Sequence, residues 1–319
     1  MTQRTKPLVS VVVPAYNEED NLPELYKRVT DVFDKLDVNL ELLIIDDASS
    51  DGTLSWLREM GRKDHRLRFV SFSRNFGHQA GVTAGLQNAM GDAVVVIDAD
   101  LQDPPEVLPQ MIQRWREGYQ IVMGQRIKRE GDPLAKRLFA WGYYRVLARL
   151  SKVKIPVDGG DFCLMDRVVV DTLNNLPERN RYVRGLRAWA GFRQTNQPFQ
   201  RHARYKGEPK YNFFKSLSLA MDGLVSFSYL PLRLATYVGL AAGAMALVMV
   251  VLVLYWRFFT NAPLVGYAIL VTTFLCIASV QLLTIGIMGE YVGRIYDEVK
   301  GRPHYVVKEK SQDSDGSVN

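Results

Sequence analysis

Three carboxylates, Asp98, Asp100 and Asp103, fall within the stretch VVVIDADLQDPPE (Val94 to Glu106), after four apolar residues and just before two prolines. Carboxylates this close repel one another unless a cation lies between them. Oxygen-only ligands of this kind suit Mg2+ or Mn2+ carried in on a diphosphate. A solvated Asp-rich turn has the same spelling, so the motif by itself is compatible with either reading.

The neighbouring residues decide where these carboxylates stand. Val94 to Ile97 is a short β-branched run entered from Gly91 and Asp92, which predicts a buried strand. Pro104 and Pro105 suit the start of a helix that Val107, Leu108, Met111 and Ile112 continue at helical spacing. Asp98 and Asp100 therefore sit at the carboxyl end of a strand, the edge at which open α/β sheets bind ligands.

The same alternation runs through the first part of the chain. Val9–Val13 and Leu40–Ile45 read as buried strands, and between them Asp20–Leu36 places Leu22, Leu25, Val29, Val32, Phe33 and Leu36 on one helical face. A helix over Thr53–Met60 leads to a strand over Leu67–Phe72, and a helix over Gln79–Met90 leads to the acidic strand. A further strand follows at Gln120–Gly124. This order predicts an α/β domain with a mostly parallel sheet covered on both faces.

Two more polar clusters fall at the same edge: PAYNEE (Pro14 to Glu19) after the first strand and DDASSDGT (Asp46 to Thr53) after the second. A fixed carboxylate accepts the N–H donors of a uracil or guanine ring, so Asp46 or Asp47 could read a base, with Asp100 and Gln102 near ribose, phosphate and metal. An Asx-type turn with Ser50 or Asp51 capping the next helix also explains DDASSDGT, but not the pair Asp46–Asp47.

Beyond Gly124 the pattern changes. Gln125–Pro133 is a basic loop, followed by a helix from about Leu134 to Leu150, the stretch VDGGDFCLMDR and a helix near Arg181–Ala190. The run NFFKSLSLAMDGLVSFSYLP presents apolar residues at three- and four-residue steps, as either an interfacial or a core helix does. Leu234–Trp256 and Phe258–Gly289 carry no charge, and each exceeds the roughly 20 residues that cross a bilayer core. Lys and Arg crowd both flanks of this pair while only Arg257 lies between, which predicts two spans with both termini cytoplasmic. The chain opens without a signal-peptide pattern, so a multi-pass protein of the inner or plasma membrane is expected.

A net charge of +6 could suggest nucleic acid. Its clustering around the apolar runs instead favours anionic membrane lipid or a lipid phosphate, and no nucleic-acid module is recognisable. Cys163 and Cys276 indicate neither a disulfide nor a thiolate metal site. The end of the chain, EKSQDSDGSVN, reads as a disordered tail.

VVVPAYNEEDNLPEL, IIDDASSDGT, DADLQDPPE, GQR and VDGGDFCLMDR, in this order, resemble the family 2 glycosyltransferases of the dolichol-phosphate mannosyltransferase type. The ending GIMGEYVGRIYDEVKGRPHY resembles more closely the bacterial polyprenyl-phosphate glycosyltransferases, the bactoprenol glucosyltransferases among them. The resemblance covers about Leu8 to Tyr305. It implies a GT-A (Rossmann-like) fold and inverting, metal-dependent transfer of one sugar from a nucleotide sugar, UDP-glucose foremost, to the phosphate of undecaprenol or another polyprenol. GDP-mannose, UDP-N-acetylglucosamine and a UDP-linked formamido-arabinose stay open as donors.

Carried over by position, Pro14, Tyr16, Glu18, Asp46 and Asp47 would hold the nucleoside. Asp98, Asp100 and Gln102 would hold Mg2+ or Mn2+ and the diphosphate, and Arg126 would meet phosphate, with Asp100 and Arg126 in the catalytic set. GGD replaces the commoner Thr–Ser–Gly turn after Asp158, so the further catalytic aspartate is Asp158 or Asp161. A polyprenyl phosphate, with a second pKa of about 6, is already anionic at cytoplasmic pH and needs no base. Either aspartate is therefore expected chiefly to orient sugar hydroxyls or a cationic partner.

Arg126, Arg129, Lys206 and Lys210, in the two basic segments Gln125–Pro133 and Arg201–Tyr211, are the candidates for the acceptor phosphate. The expected organisation is a cytoplasmic GT-A domain over 1–200, a basic loop and interfacial helix over 201–232, two spans over 233–290 and a cytoplasmic tail over 291–319. A homo-oligomer, a tetramer among the options, would pack on the small-residue face of Gly239, Ala242, Gly243 and Ala246. A processive polysaccharide synthase should show a Gln-x-x-Arg-Trp element and more spans. A non-catalytic membrane scaffold would lose the acidic set, which this sequence keeps.

Overall fold

A computed structural model describes residues 6–127, 159–178, 181, 183–200, 230–259 and 266–311. Asp158, Arg129, Lys206 and Lys210, the helix expected over 134–150 and the interfacial segment before the first apolar helix lie outside them. The chain divides into two compact units, Met1–Phe213 with Arg302–Asn319, and Phe214–Gly301.

The first unit is built on strands β1 (Leu8–Ala15), β2 (Asn39–Asp46), β3 (Leu67–Phe72), β4 (Ala93–Val96), β5 (Ile121–Arg126), β6 (Gly159–Asp166), β7 (Gln194–Phe199) and β8 (Val307–Lys310). They form one sheet in the order β7-β5-β6-β4-β1-β2-β3-β8. The β1–β2, β1–β4, β2–β3 and β5–β7 pairs are parallel, while β6 runs antiparallel to β4 and β5, and β8 antiparallel to β3.

Helices α1 (Leu22–Phe33), α2 (Thr53–Lys63), α3 (His78–Asn88), α4 (Leu108–Arg116), α5 (Arg167–Asn174) and α6 (Val183–Trp189) cover the sheet. Strand alternation sorts the two faces. Val9, Val11 and Val13 enter the core cluster with Leu22, Leu25, Leu57, Leu108 and Met111 of α1, α2 and α4. Val12 points the other way, toward α3. There Gly81 and Gly85 let the helix lie directly on β1: a Cβ on Gly85 would stand 2.0 Å from Val12 Cγ1. Both faces of the central strands are thus buried, which is why they read as unbroken apolar runs.

The expected strands and helices of the first half appear within a few residues of their sequence boundaries. Pro105–Val107 forms a 3-10 turn before α4. Three strands had no counterpart in the sequence analysis: β6, β7, and β8, which takes in Glu309 and Lys310 from the stretch expected to be a polar tail.

In the second unit, α7 (Leu230–Phe259) and α8 (Gly266–Lys300) pack on each other. Their outer surface exposes Leu247, Phe258, Leu270, Phe274 and Leu282, each by about 70 % or more. Among the described residues one helical stretch, Cys276–Lys300, is long and apolar enough to cross a membrane, and a shorter apolar stretch covers Ala235–Met249. A Cβ on Gly239 or Gly243 would meet nothing within 4 Å, so the helix pair itself leaves those positions open.

Candidate active site

Three non-glycine residues adopt left-handed backbone: Asn17 (φ 53°), Ala48 (φ 57°) and Leu101 (φ 59°). Each lies in a loop leaving the carboxyl end of a parallel strand, β1, β2 or β4. Such conformations cost of order 1–3 kcal/mol and persist where surrounding contacts enforce them, as at functional sites. Here the first two loops clasp each other. Asn17 N donates to Ser49 Oγ at 2.9 Å, Ser50 N to Asn17 Oδ1 at 2.8 Å, and Asp47 N to Ala15 O at 2.9 Å.

The pair Asp46–Asp47 is split between two internal tasks. Asp46 is completely buried, accepting from Ser49 N at 3.0 Å and from the Ser71 hydroxyl at 2.7 Å. Asp47 accepts from Phe76 N at 2.6 Å and Gly77 N at 2.8 Å, and so fixes the loop between β3 and α3. Burial raises the Asp47 carboxyl above the ordinary carboxylate value against these two bonds. In the β1 loop, Tyr16 is exposed, Pro14 is partly buried as a strand residue, and Glu18 accepts from Asn21 Nδ2 at 2.5 Å.

After β4 the chain gathers its acids. Asp100 and Asp103 are buried, and Asp100 Oδ1 accepts from Gln102 N at 3.1 Å. The side chain of Asp98 remains 33 % exposed. Arg126, at the end of β5, brings Nη2 to 3.8 Å from Asp103 Oδ1. Asp161, in β6, has only 9 % of its side chain exposed and reaches the same place from an antiparallel strand.

Two residues that the sequence did not single out tie this cluster together. Arg184 of α6 clamps Asp161 from Nε and Nη2, and His78, the first residue of α3, places Nε2 at 3.2 Å from Asp161 Oδ2 and 3.9 Å from Asp98 Oδ1. Burial opposes the charge on Asp161, but Arg184 and His78 outweigh it and hold this carboxyl well below the usual carboxylate range. Burial would lower the His78 imidazole, yet its bond to Asp161 and the charge of Asp98 leave it raised. Asp98 is pushed up, chiefly by burial, against the His78 attraction and with Asp161 and Asp100 adding repulsion.

The signals for these two residues were faint. Arg184 belongs to an arginine series, Arg181, Arg184 and Arg187, spaced at three residues in the sequence, of which the last two lie on α6. Arg181 binds the carbonyls of Leu173 and Leu176, and Arg187 is buried against Gly160 O and Cys163 Sγ at the start of β6. His78 lies in a polar turn, SRNFGHQ, whose meaning depends on strands far along the chain.

No three acidic, His or Cys side chains converge on a closed metal cage among the described residues. The donor set nevertheless fits a divalent cation of the magnesium type, which is held by one or two carboxylates and completed by water and substrate phosphate oxygens. Asp98 keeps a third of its side chain exposed beside Asp100 and Asp161, whose repulsion a cation there would offset.

The model of the family described as Glycosyl transferase family 2 matches residues 10–173, from β1 into α5. The uncharacterized glycosyltransferase YkcC of Bacillus subtilis (strain 168) is 46 % identical over 299 residues, 94 % of this chain and 93 % of that protein. The bactoprenol glucosyl transferase of Shigella phage SfII is 39 % identical over 300 residues, 94 % of this chain and 97 % of that one. Among solved structures, glucosyl-3-phosphoglycerate synthase from Mycobacterium tuberculosis, in complex with Mn2+, UDP-glucose and phosphoglyceric acid, is similar at a TM-score of 0.46. It is 22 % identical, covering 67 % of this chain and 76 % of that one. On the extent of the family match and of the relatives' identity, this chain belongs to glycosyl transferase family 2, as a glycosyltransferase similar to the bactoprenol glucosyl transferases.

Proposed function

We propose that the protein transfers a single glucose from UDP-glucose to the phosphate of undecaprenol or a related polyprenol at the cytoplasmic face of the inner membrane, with inversion. The observation that carries this reading is the convergence of Asp98, Asp100 and Asp161 with His78, Arg184 and Arg126 at one edge of the sheet, in a chain similar over nearly all its length to bactoprenol glucosyl transferases.

In this reading an oxygen of the acceptor phosphate attacks the anomeric carbon from the face opposite the diphosphate. The new carbon–oxygen bond forms as the bond to UDP breaks, and UDP leaves. The acceptor is already anionic, so the protein must align the reactants and offset charge, and such fixed electrostatics are the largest contribution an enzyme makes to this kind of step. Asp98 and Asp100, with Gln102 beside them, would hold Mg2+ or Mn2+, which when bound neutralises the diphosphate and stabilises it as it departs.

Pro14, Tyr16, Glu18, Asp46 and Asp47 form the nucleoside side of the site. Asp161, locked as an anion, orients sugar hydroxyls; Asp158 keeps the alternative role. Arg126, Arg129, Lys206 and Lys210 are the proposed ligands of the acceptor phosphate. The exposed apolar surface of α7 and α8 supports two membrane spans, because patches of that size on soluble proteins are rare. A homo-oligomer joined at Gly239 and Gly243 completes the proposal.

The test is a donor panel. Membranes containing the protein are incubated with polyprenyl phosphate and radiolabelled UDP-glucose, UDP-N-acetylglucosamine, UDP-formamido-arabinose or GDP-mannose. Label in a lipid-linked monosaccharide from UDP-glucose supports the proposal, and a longer polymer points to a processive synthase. No lipid-linked product from any donor defeats it.

A further inference from the structure

The segment that follows the last apolar helix returns to the sheet beside the nucleotide loops. Directly after α8, Tyr305 stacks on Phe72 at the end of β3, with ring centroids 4.8 Å apart and planes at 20°. Phe72 meets Phe76 edge-on at 5.7 Å, and Arg74 lies over the Phe76 ring, its guanidinium carbon 4.0 Å from the centroid. The Tyr305 hydroxyl donates to Gln87 Oε1 at 2.8 Å and accepts from Asn88 Nδ2 at 3.2 Å, both at the end of α3. Next to it, Ser73 N donates to Val306 O at 2.9 Å.

This column of rings ends on the loop whose amides hold Asp47. Phe76 N and Gly77 N are the two donors to that carboxylate, and the next residue, His78, holds Asp161. Gly77 has a φ of 92°, a conformation open to glycine. Tyr305 therefore touches both ends of the α3 segment, through Phe72 at its entry and through Gln87 and Asn88 at its exit.

We propose that Tyr305 is a positioning residue for the nucleotide site: through the stack Tyr305–Phe72–Phe76 it fixes the 73–77 loop, and so the orientation of Asp47 toward the donor. The chain segment leaving the membrane helix thereby becomes part of the donor site's support. A simple edge strand would need only its backbone and its charged pair, which β8 has in Arg58–Glu309, and an aromatic stacked on Phe72 would add nothing to it. This inference rests on the nucleotide-sugar reading above.

The test uses UDP itself, titrated calorimetrically into the full-length protein in detergent, at a temperature well below the melting point of each variant. Binding by the wild type stands or falls with the donor reading alone; no UDP binding by the wild type defeats that reading and this inference with it. Given wild-type binding, Tyr305→Ala is expected to weaken UDP about fivefold, the size of one aromatic pair. Its donor KM should rise with it while the acceptor KM stays put. Tyr305→Phe keeps the ring and is expected to stay within about twofold of wild type. Should Tyr305→Ala fail to fold, Phe76→Leu breaks the same stack from its other end and is expected to show the same loss. Wild-type UDP affinity in Tyr305→Ala or Phe76→Leu, or equal losses in Tyr305→Phe and Tyr305→Ala, overturns the inference.

Discussion

Arg184 holds both oxygens of Asp161, Nε on Oδ1 and Nη2 on Oδ2, each at 2.8 Å. Such a fork fixes the carboxylate plane as well as its charge, which a lysine ammonium cannot do. Arg184→Lys keeps the charge and releases the plane. It is expected to lower kcat about tenfold with little change in the melting temperature, because the pair is partly solvated and its role is geometric. Wild-type kcat in this variant would show that charge alone suffices at Asp161.

The same pair sets an acid limb of stability. A carboxyl held below its unfolded value, about 3.9 for Asp, contributes stability that is complete above that value and declines as pH falls through and below it. The melting temperature of the wild type should therefore fall more steeply than that of Asp161→Asn below about pH 4, and the two curves should run parallel between about pH 5 and 6, below the range in which His78, which Asp161 raises, begins to lose its proton. Parallel curves over the whole range from pH 6 to 3 would contradict the assignment of an anionic, clamped Asp161.

Asp98 behaves in the opposite sense, since burial and the charges of Asp161 and Asp100 raise it. Its charge is a cost to the protein without metal, so Asp98→Asn should melt no lower than wild type in EDTA. Transfer should nonetheless fall by at least about a hundredfold, and Mn2+ with UDP, expected to raise the melting temperature of the wild type, should leave that of the variant unchanged. Asp100→Ala should likewise abolish transfer, and chelation should reproduce both variants. Full activity in EDTA would remove the metal from the mechanism.

The half of the domain built from β1 to β4 was legible because each strand is buried on both faces and each helix shows one apolar stripe. The three acidic loops then followed from the sheet's carboxyl edge. Strand β7, QTNQPF, alternates polar residues at the sheet edge, and β8, VKEK, is charged as edge strands commonly are, so neither stands out as a strand. His78 and Arg184 were invisible for another reason: they meet Asp161 across 83 and 23 residues of sequence, and only the antiparallel insertion of β6 beside β4 brings them there. Asp46 shows the limit of a motif: its spelling matches a ligand-facing acid, yet the Ser71 hydroxyl on the neighbouring strand claims it for the interior.

In the proposed reaction the acceptor phosphate must be met at headgroup level, because its isoprenoid tail would stay in the bilayer. Of the four cations proposed for it, Arg126 stands at the end of β5 with 37 % of its side chain exposed and Asp103 at 3.8 Å. Arg129 shares its basic segment, Gln125–Pro133, and Lys206 and Lys210 belong to the second, Arg201–Tyr211. A phosphate ligand and a general membrane contact differ in kinetics. Loss of a ligand to alanine lowers turnover even at saturating acceptor, whereas loss of a lipid contact is restored by more anionic lipid, each such charge being worth about 1 kcal/mol at the surface. Arg126→Ala is therefore expected to reduce kcat about tenfold or more in vesicles of any anionic lipid content, with smaller reductions for the other three. Recovery of wild-type rates by all four alanine variants on adding anionic lipid would assign these residues to the bilayer rather than to the acceptor.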